Sequence, residues 1–304
     1  MNYLNSIRGA LPFGQARIRI VATVLAFASV ASCGFADNDI DTTVSTYFST
    51  WSDRVAVAQA SQPSWITPLA TTTPRLEQEF RYDQNRQTLR NGSRVDIYDS
   101  GKGFEFIPTS RTEVIISVPA YQERHGVGAA SGFTDWPGIL IKYRLISANK
   151  SRGDYIVSVF AQYGWPTGVD VFTSHNHVFT PTLAAGKGFG DFDVQATIGQ
   201  AIPTDDHSNT GRSLLTNVTA QYHFAKYFWP EVEMNRTDWV GGARDGRSQT
   251  LVTTGVILGR FVLPNKTKLI VGVGYQTPVS HNYPANPSTP TFNHNWLGSV
   301  RLAF

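Results

Sequence analysis

The chain ends in "NWLGSVRLAF", residues 295–304. Trp296, Gly298, Val300, Leu302 and Phe304 share one parity; Asn295, Leu297, Ser299, Arg301 and Ala303 share the other. Successive side chains of a β-strand point to opposite faces, so this stretch reads as a strand with one apolar side running up to the terminal carboxylate. The last residues of a water-soluble domain are usually frayed. Here they are patterned to face hydrocarbon.

The same period of two recurs upstream. Val114, Ile116, Val118 and Ala120 alternate, then Ile139, Ile141, Tyr143 and Leu145 against Lys142 and Arg144. Phe192, Val194, Ala196 and Ile198 oppose Asp193, Gln195 and Thr197, while Leu269, Val271, Val273 and Tyr275 oppose Lys268 and Gln276. Each run is about ten residues, the length a tilted strand needs to cross a bilayer. Twelve such strands are expected, from 75–84 to 293–304. The links between them alternate. "PTSR", "ANKSRG", "GKGFGD", "FAKYF" and "LPNKT" are short, whereas "ERHGVGAASGFTDW", "PTDDHSNTGR" and "PVSHNYPANPSTPTF" are long and polar. Short turns on one side and long loops on the other, around an even number of antiparallel strands, predict an all-β transmembrane barrel of outer-membrane type. Closure also removes the open edges that hydrocarbon cannot tolerate.

Composition agrees. The 304 residues are 41% hydrophobic, 12% aromatic and only 16% charged, with 26 glycines and a net charge of +3. So small a charge, without a basic stripe, argues against a nucleic-acid partner. Residues 1–36 carry Arg8, Arg17 and Arg19 ahead of "IVATVLAFASVASCGFA" and read as a signal peptide for export. Cleavage after Ala36 is one reading; lipidation at Cys33, preceded by Val30-Ala31-Ser32, is the other. Residues 37–74 form an N-terminal periplasmic or plug segment, with one amphipathic helix expected from Val44, Phe48, Trp51 and Val55 and ended by Pro63. Residues 75–304 form the barrel.

Parity divides the barrel residues. Trp136, Tyr163, Trp165, Trp229, Trp239, Tyr275, Trp296 and Phe304 are expected outside as interfacial girdles. Glu77, Glu79, Arg81, Asp83, Lys142, Arg144, Asp193, Gln195, Asn217, Gln221, His223, Glu231, Glu233, Asn235, Lys268, Gln276 and Arg301 are expected to line the lumen. Charges of both signs in a narrow barrel must pair or stay hydrated, so the interior is expected to be a wet or plugged path, or a closed, salt-bridged interior.

Other chemistry is less well supported. His207 and Ser208 are consecutive in an expected loop, a poor match to a base and nucleophile on one strand face. His175, His177, Asp205, Asp206 and His207 offer metal-ligand types, but solvated loop residues explain them equally well. "GKGFGD" lacks P-loop spacing and reads as a hairpin. No cofactor, metal or enzymatic activity is expected.

"TPRLEQEFRYDQNRQ", "GILIKYRLISANK", "TPTLAAGKGFGDFDVQATIGQAIPT", "AQYHFAKYFWPEVEMN" and "FNHNWLGSVRLAF" resemble the bacterial outer-membrane proteins of the meta-pathway phenol-degradation family. The resemblance runs from about Trp51 to Phe304. It implies an outer-membrane channel or transporter for small organic solutes, aromatic ones among them, and supplies no binding residues. The alternatives are a non-conducting structural barrel and a lipid-acting enzyme. Expected partners are membrane lipid, lipopolysaccharide, the solute and the outer-membrane insertion machinery. The insertion machinery would read Trp296, Val300, Leu302 and Phe304, because the terminal aromatic resembles the C-terminal signal of such barrels.

Overall fold

A computed structural model describes residues 37–100, 102–169, 171–205, 211–281 and 292–304. The signal-peptide and Cys33 readings lie outside the described residues, as do Asp206, His207 and Ser208.

Twelve antiparallel strands close into a barrel. Fifteen hydrogen-bonded segments make them up, because three strands are broken. The first strand is β1 (Glu79–Leu89). The second is β2 (Arg94–Tyr98) with β3 (Gly103–Thr109), and the third β4 (Thr112–Ile116) with β5 (Tyr121–His125). The fourth is β6 (Ala130–Phe133) with β7 (Trp136–Ala148). Eight unbroken strands follow: β8 (Tyr155–Trp165), β9 (Val178–Phe189), β10 (Phe192–Pro203), β11 (Arg212–Tyr222), β12 (Phe228–Val240), β13 (Ser248–Val262), β14 (Lys268–His281) and β15 (Phe292–Ala303). β15 pairs with β1, Ala303 opposite Glu79 and Trp296 opposite Arg86, which leaves the ring without an edge.

The breaks have local causes. Pro119 has no N–H to give a ladder and sits between β4 and β5. Gly103 (φ +86°), where β3 begins, adopts a conformation that suits glycine, and a Cβ there would lie 2.5 Å from the Ile116 carbonyl oxygen. Gly138 (φ +83°), where a Cβ would lie 1.8 Å from the Tyr163 carbonyl oxygen, makes an irregularity inside β7 rather than a break.

Short connections join the strands at one end, here the turn end. At the loop end the 166–177 and 241–247 links are long. The long links expected after the first and third strands are instead tight turns over 90–93 and 126–129, because the strands run on into them. The closing strand points as its parity predicts. Trp296, Val300, Leu302 and Phe304 are exposed on the outer face, and Arg301 is buried inside. Outward aliphatic and aromatic side chains such as Phe104, Ile141, Tyr143, Leu183, Val232 and Val273 are likewise exposed.

The N-terminal segment departs from the expected single helix. Two helices form, α1 (Asp37–Ser49) and α2 (Trp51–Ala60), parted at Thr50. Val44 and Phe48 on α1 are exposed, so the apolar stripe does not continue across both. On α2, Val55 and Ala58 are buried against Leu76 and Ile107, with Trp51 packed alongside. α1 falls in a separate compact unit ending at Thr50; α2 belongs with the barrel.

Candidate functional site

After α2 the chain enters the barrel and runs through it without regular structure. All of residues 62–78 are buried except Ser64, Ala70 and Thr72. An irregular segment inside a barrel carries backbone amides and carbonyls that need partners. The inward side chains of the wall supply them.

The turn Thr67–Thr71 sits in a charged cradle. On one side Arg81 and Arg301 donate to its carbonyls: Arg81 to Pro68 (3.1 Å) and Leu69, Arg301 to Thr67 and Pro68 (2.9 Å). On β12, carboxylates accept its amides. Glu231 takes the Leu69 N–H at 3.0 Å, and Glu233 takes those of Ala70 and Thr71 at 2.7 and 2.6 Å. Arginine can only donate and an ionised carboxylate can only accept, so each charge type meets the half of the peptide group it can bond. Gln221 steadies Glu231 (2.6 Å), Thr219 steadies Glu233 (3.1 Å), and Asn235 reaches the Thr71 hydroxyl (3.1 Å).

Nearer the turn end the pattern repeats. Gln195 donates to Ile66 O (3.2 Å) and to Asp193 (3.0 Å), and accepts from the Thr73 hydroxyl (2.7 Å). Ser158 donates to Pro74 O (2.7 Å) and Lys142 to Arg75 O (3.2 Å), with Lys142 also paired to Glu113 at 2.8 Å. Arg260 holds the Ser64 and Trp65 carbonyls.

Apolar contacts fix the register. Leu69 packs with Ile66, Trp229, Ile257 and Ile270. Gly255, Gly272 and Gly274 face it, and a Cβ on any of them would come within 2.4–2.8 Å of a Leu69 methyl. Trp65 lies against Gly186 and Gly188, where a Cβ would approach the indole to 2.5 and 2.8 Å, and its Nε1 donates to Asp154 at 3.2 Å. "GKGFGD" is therefore a hairpin, as its sequence suggests, and two of its glycines also make the seat of a plug tryptophan.

Several expected positions need correction. Glu77 is not a strand residue: it belongs to the plug, where it pairs with Arg75 at 2.8 Å and accepts from the Thr67 hydroxyl at 3.0 Å. Trp229 faces inward and is buried, because the plug gives it apolar neighbours. His223 lies past the end of β11 rather than mid-strand, at the turn-end rim, stacked on Trp229 with centroids 3.9 Å apart. Lys268 is exposed and borders a turn-end cavity. Arg144 does not face an open path; it donates to Ala58 O (2.8 Å), the Ser61 hydroxyl (2.9 Å) and Ser110 O (2.5 Å), capping the C-terminal end of α2. Glu79, Arg81, Lys142, Asp193, Gln195, Gln221, Glu231, Glu233 and Arg301 are inward and buried, and Asn217 donates to Thr197 at 2.8 Å. Of the proposed metal ligands, His177 and Asp205 meet at 2.7 Å and satisfy one another.

Two spaces flank the plug. The turn-end one, about 240 Å³, is bordered by Arg75, Glu77, Arg260, Lys268 and Phe304. The loop-end one, about 290 Å³, has Leu69 and Ala70 as its floor and Asn85, Gln87, Gln276, Asn295 and Lys102 on its walls. Lys102 also ties the plug through Thr72 at 2.9 Å. Above this space the inner face turns apolar: Leu89, Val95 and Phe292 pack together, with Ile97 and Leu251 against them.

The barrel has a counterpart among solved structures. The outer membrane channel from Pseudomonas putida F1 superposes with a TM-score of 0.53 at 14% identity, covering 79% of this chain and 100% of the channel. The chain has the fold of an outer-membrane barrel. A NanC porin gives a TM-score of 0.46 at 8% identity, over 74% of this chain and 98% of the porin. No family model matches the sequence, and no curated protein sequence matches it. The phenol-degradation resemblance thus gains no support at the level of family.

Proposed function

We propose that the protein is an outer-membrane channel for small organic solutes whose path is closed at rest by residues 62–78. The turn end then faces the periplasm and the loop end the exterior. The observation that carries this reading is the loop-end space of about 290 Å³, near the lower bound for a small-molecule site. Its amide-rich wall lies beneath an apolar mouth, and the plug backbone is its floor. An apolar collar admits a solute with hydrophobic surface, the side-chain amides engage whatever polar group it carries, and passage requires the Thr67–Thr71 turn to leave its cradle. Aromatic compounds fit that description, as the sequence resemblance implies. The reading contains no catalytic step and no cofactor. General contact with lipid and lipopolysaccharide, and insertion guided by Trp296, Val300, Leu302 and Phe304, belong to it.

The extent of plug bonding favours a second reading, a structural barrel that conducts nothing. Swelling of liposomes containing the full chain, measured with a size series of sugars and aromatic acids, separates the two. A channel passes the smallest solutes and passes larger ones once the cradle is weakened. No permeation in any variant leaves the structural barrel.

A further inference from the structure

On the outer wall, polarity changes with height in ordered rows. Phe80 and Phe104 pair near the turn end, with Ile116 beside them. Toward the loop end comes the row Gln84–Tyr98–Tyr121–Phe133, with the three rings in successive contact. The next row is Arg86–Asp96–Glu123, and above it Thr88–Arg94–His125. An apolar band, then an aromatic girdle, then charges is the depth profile of a barrel wall passing from acyl chains to head groups.

The charged rows are built around one carboxylate. Asp96 points outward yet its side chain is only 3% exposed. Its Oδ1 accepts from Arg86 Nε (2.8 Å) and its Oδ2 from Arg94 Nε (2.9 Å), with His125 Nε2 3.1 Å from Oδ2. Each arginine is held by Nε alone, so Nη1 and Nη2 of both meet no acceptor among the described residues, and the side chains remain 58% and 46% exposed. Another outward arginine shows the contrast. Arg236 spends Nε and Nη2 on both oxygens of Asp238 and Nη1 on Thr250. All three of its nitrogens are engaged; Arg86 and Arg94 engage one each and keep the Nη1 and Nη2 groups oriented and available.

We propose that Arg86 and Arg94 form a receptor for a phosphate on a phosphorylated glycolipid of the outer leaflet, of the lipopolysaccharide class. The proposal rests on the outer-membrane reading. Two guanidinium groups fixed by a shared carboxylate suit a tetrahedral dianion, which takes two-pronged hydrogen bonds from arginine. The girdle one row below sets the height at which a lipid phosphate lies. Asp96, Glu123 and His125 also offer metal-ligand atoms within 4.8 Å of one another, but both Asp96 oxygens are already occupied. Glu123 is held by the Tyr98 hydroxyl at 3.4 Å, and its charge moderates the site rather than forming it.

The test begins with the full chain fractionated from outer membranes; absence from that fraction refutes the membrane reading itself. Protein that is present is extracted, checked for heat-modifiable folding on a gel, and titrated in micelles with bisphosphorylated lipid A, dephosphorylated lipid A and phosphatidylglycerol. Wild type is expected to prefer bisphosphorylated lipid A. Arg86→Gln and Arg94→Gln should each weaken that binding about tenfold, while Arg236→Gln leaves it unchanged. Equal binding by wild type and the folded double variant overturns the proposal, as does equal binding of dephosphorylated lipid. Phosphatidylglycerol bound as tightly as lipid A refutes the glycolipid assignment. Loss of binding on chelator treatment, matched by Glu123→Gln, makes the site a cation site instead.

Discussion

Replacing Glu233 by glutamine tests the cradle at its tightest point. The carboxylate accepts two plug amides, Ala70 N–H at 2.7 Å and Thr71 N–H at 2.6 Å, and the Thr219 hydroxyl at 3.1 Å. A hydrogen bond to a charged group contributes roughly 1.5–3 kcal/mol and a neutral one about 1 kcal/mol. Glutamine is nearly isosteric but has one acceptor oxygen, so it keeps one amide at neutral strength and sets an NH₂ against the other. The loss is about 2–3 kcal/mol after water relieves part of the clash, or roughly 30- to 150-fold in the population of unseated plug. Glu231 still holds Leu69 at 3.0 Å, so the barrel should fold. The readout is modification of an Ala70→Cys reporter, at the floor of the loop-end space, by a thiol reagent applied from that side. The native cysteine, Cys33, is replaced by serine. Labelling should accelerate by that factor, and single-channel records should show more frequent open events. Unchanged labelling in a correctly folded Glu233→Gln protein would refute the idea that this carboxylate secures the plug.

The remaining predictions address other parts of the same arrangement. Gly272→Val places methyl groups where Leu69 sits, the Cβ alone at 2.6 Å, and should expel the plug or lower the unfolding temperature; an unchanged melt with unchanged conductance contradicts the glycine seat. Arg144→Glu should loosen α2, seen as faster proteolysis between Trp51 and Ser61, and should leave ion selectivity nearly as it was; a strong selectivity change would put Arg144 on the path. Asp135, just beyond the Trp136–Trp165 pair, opposes its own burial by accepting from Ser174 N–H (2.7 Å), Ser174 Oγ (2.8 Å) and Gly168 N–H (3.0 Å), which hold its carboxyl below the ordinary range. A depressed carboxyl contributes order above its unfolded value, near 4, and loses it as pH falls through the folded value. The 166–177 loop should therefore resist proteolysis at neutral pH and yield to an acid-active protease below about pH 4, and Asp135→Asn should yield at both. Removing Phe304 should reduce insertion yield in cells more than it lowers the unfolding temperature of barrels already folded; equal yields would show that the terminal ring is no assembly signal.

The sequence reveals the wall of this barrel more clearly than its contents. Alternation is a local property, so strand number, closure and the outward face of Trp296, Val300 and Leu302 follow from counting in twos. It fails where an outside object changes what a parity means. Trp229 looked like a girdle residue because aromatics gather at interfaces, yet Ile66 and Leu69 give it an apolar interior to enter. Glu77 kept the parity of β1 but belongs to a segment that is not a strand. The helix expected over Val44–Val55 divides at Thr50, and only its second half packs on the barrel, through Val55 against Leu76 and Ile107.

The plug was nonetheless written into the wall in a form that alternation alone does not reveal. Inward glycines at 186, 188, 255, 272 and 274 are too many for a barrel filled by its own side chains, since a small barrel normally packs its interior with residues of matched size. Missing Cβ atoms imply another body in the space, and the sequence supplies one with large side chains at Trp65 and Leu69. Likewise, Arg81 and Arg301 on one side and Glu231 and Glu233 on the other form few ion pairs across the lumen. They separate into donors and acceptors because what lies between them is a peptide backbone, which offers carbonyls in one direction and amides in the other. A polar lumen built for solute alone would have no reason to sort its charges this way. The sorting therefore identifies the resident of the barrel as a piece of its own chain, and makes release of that piece the step on which any passage depends.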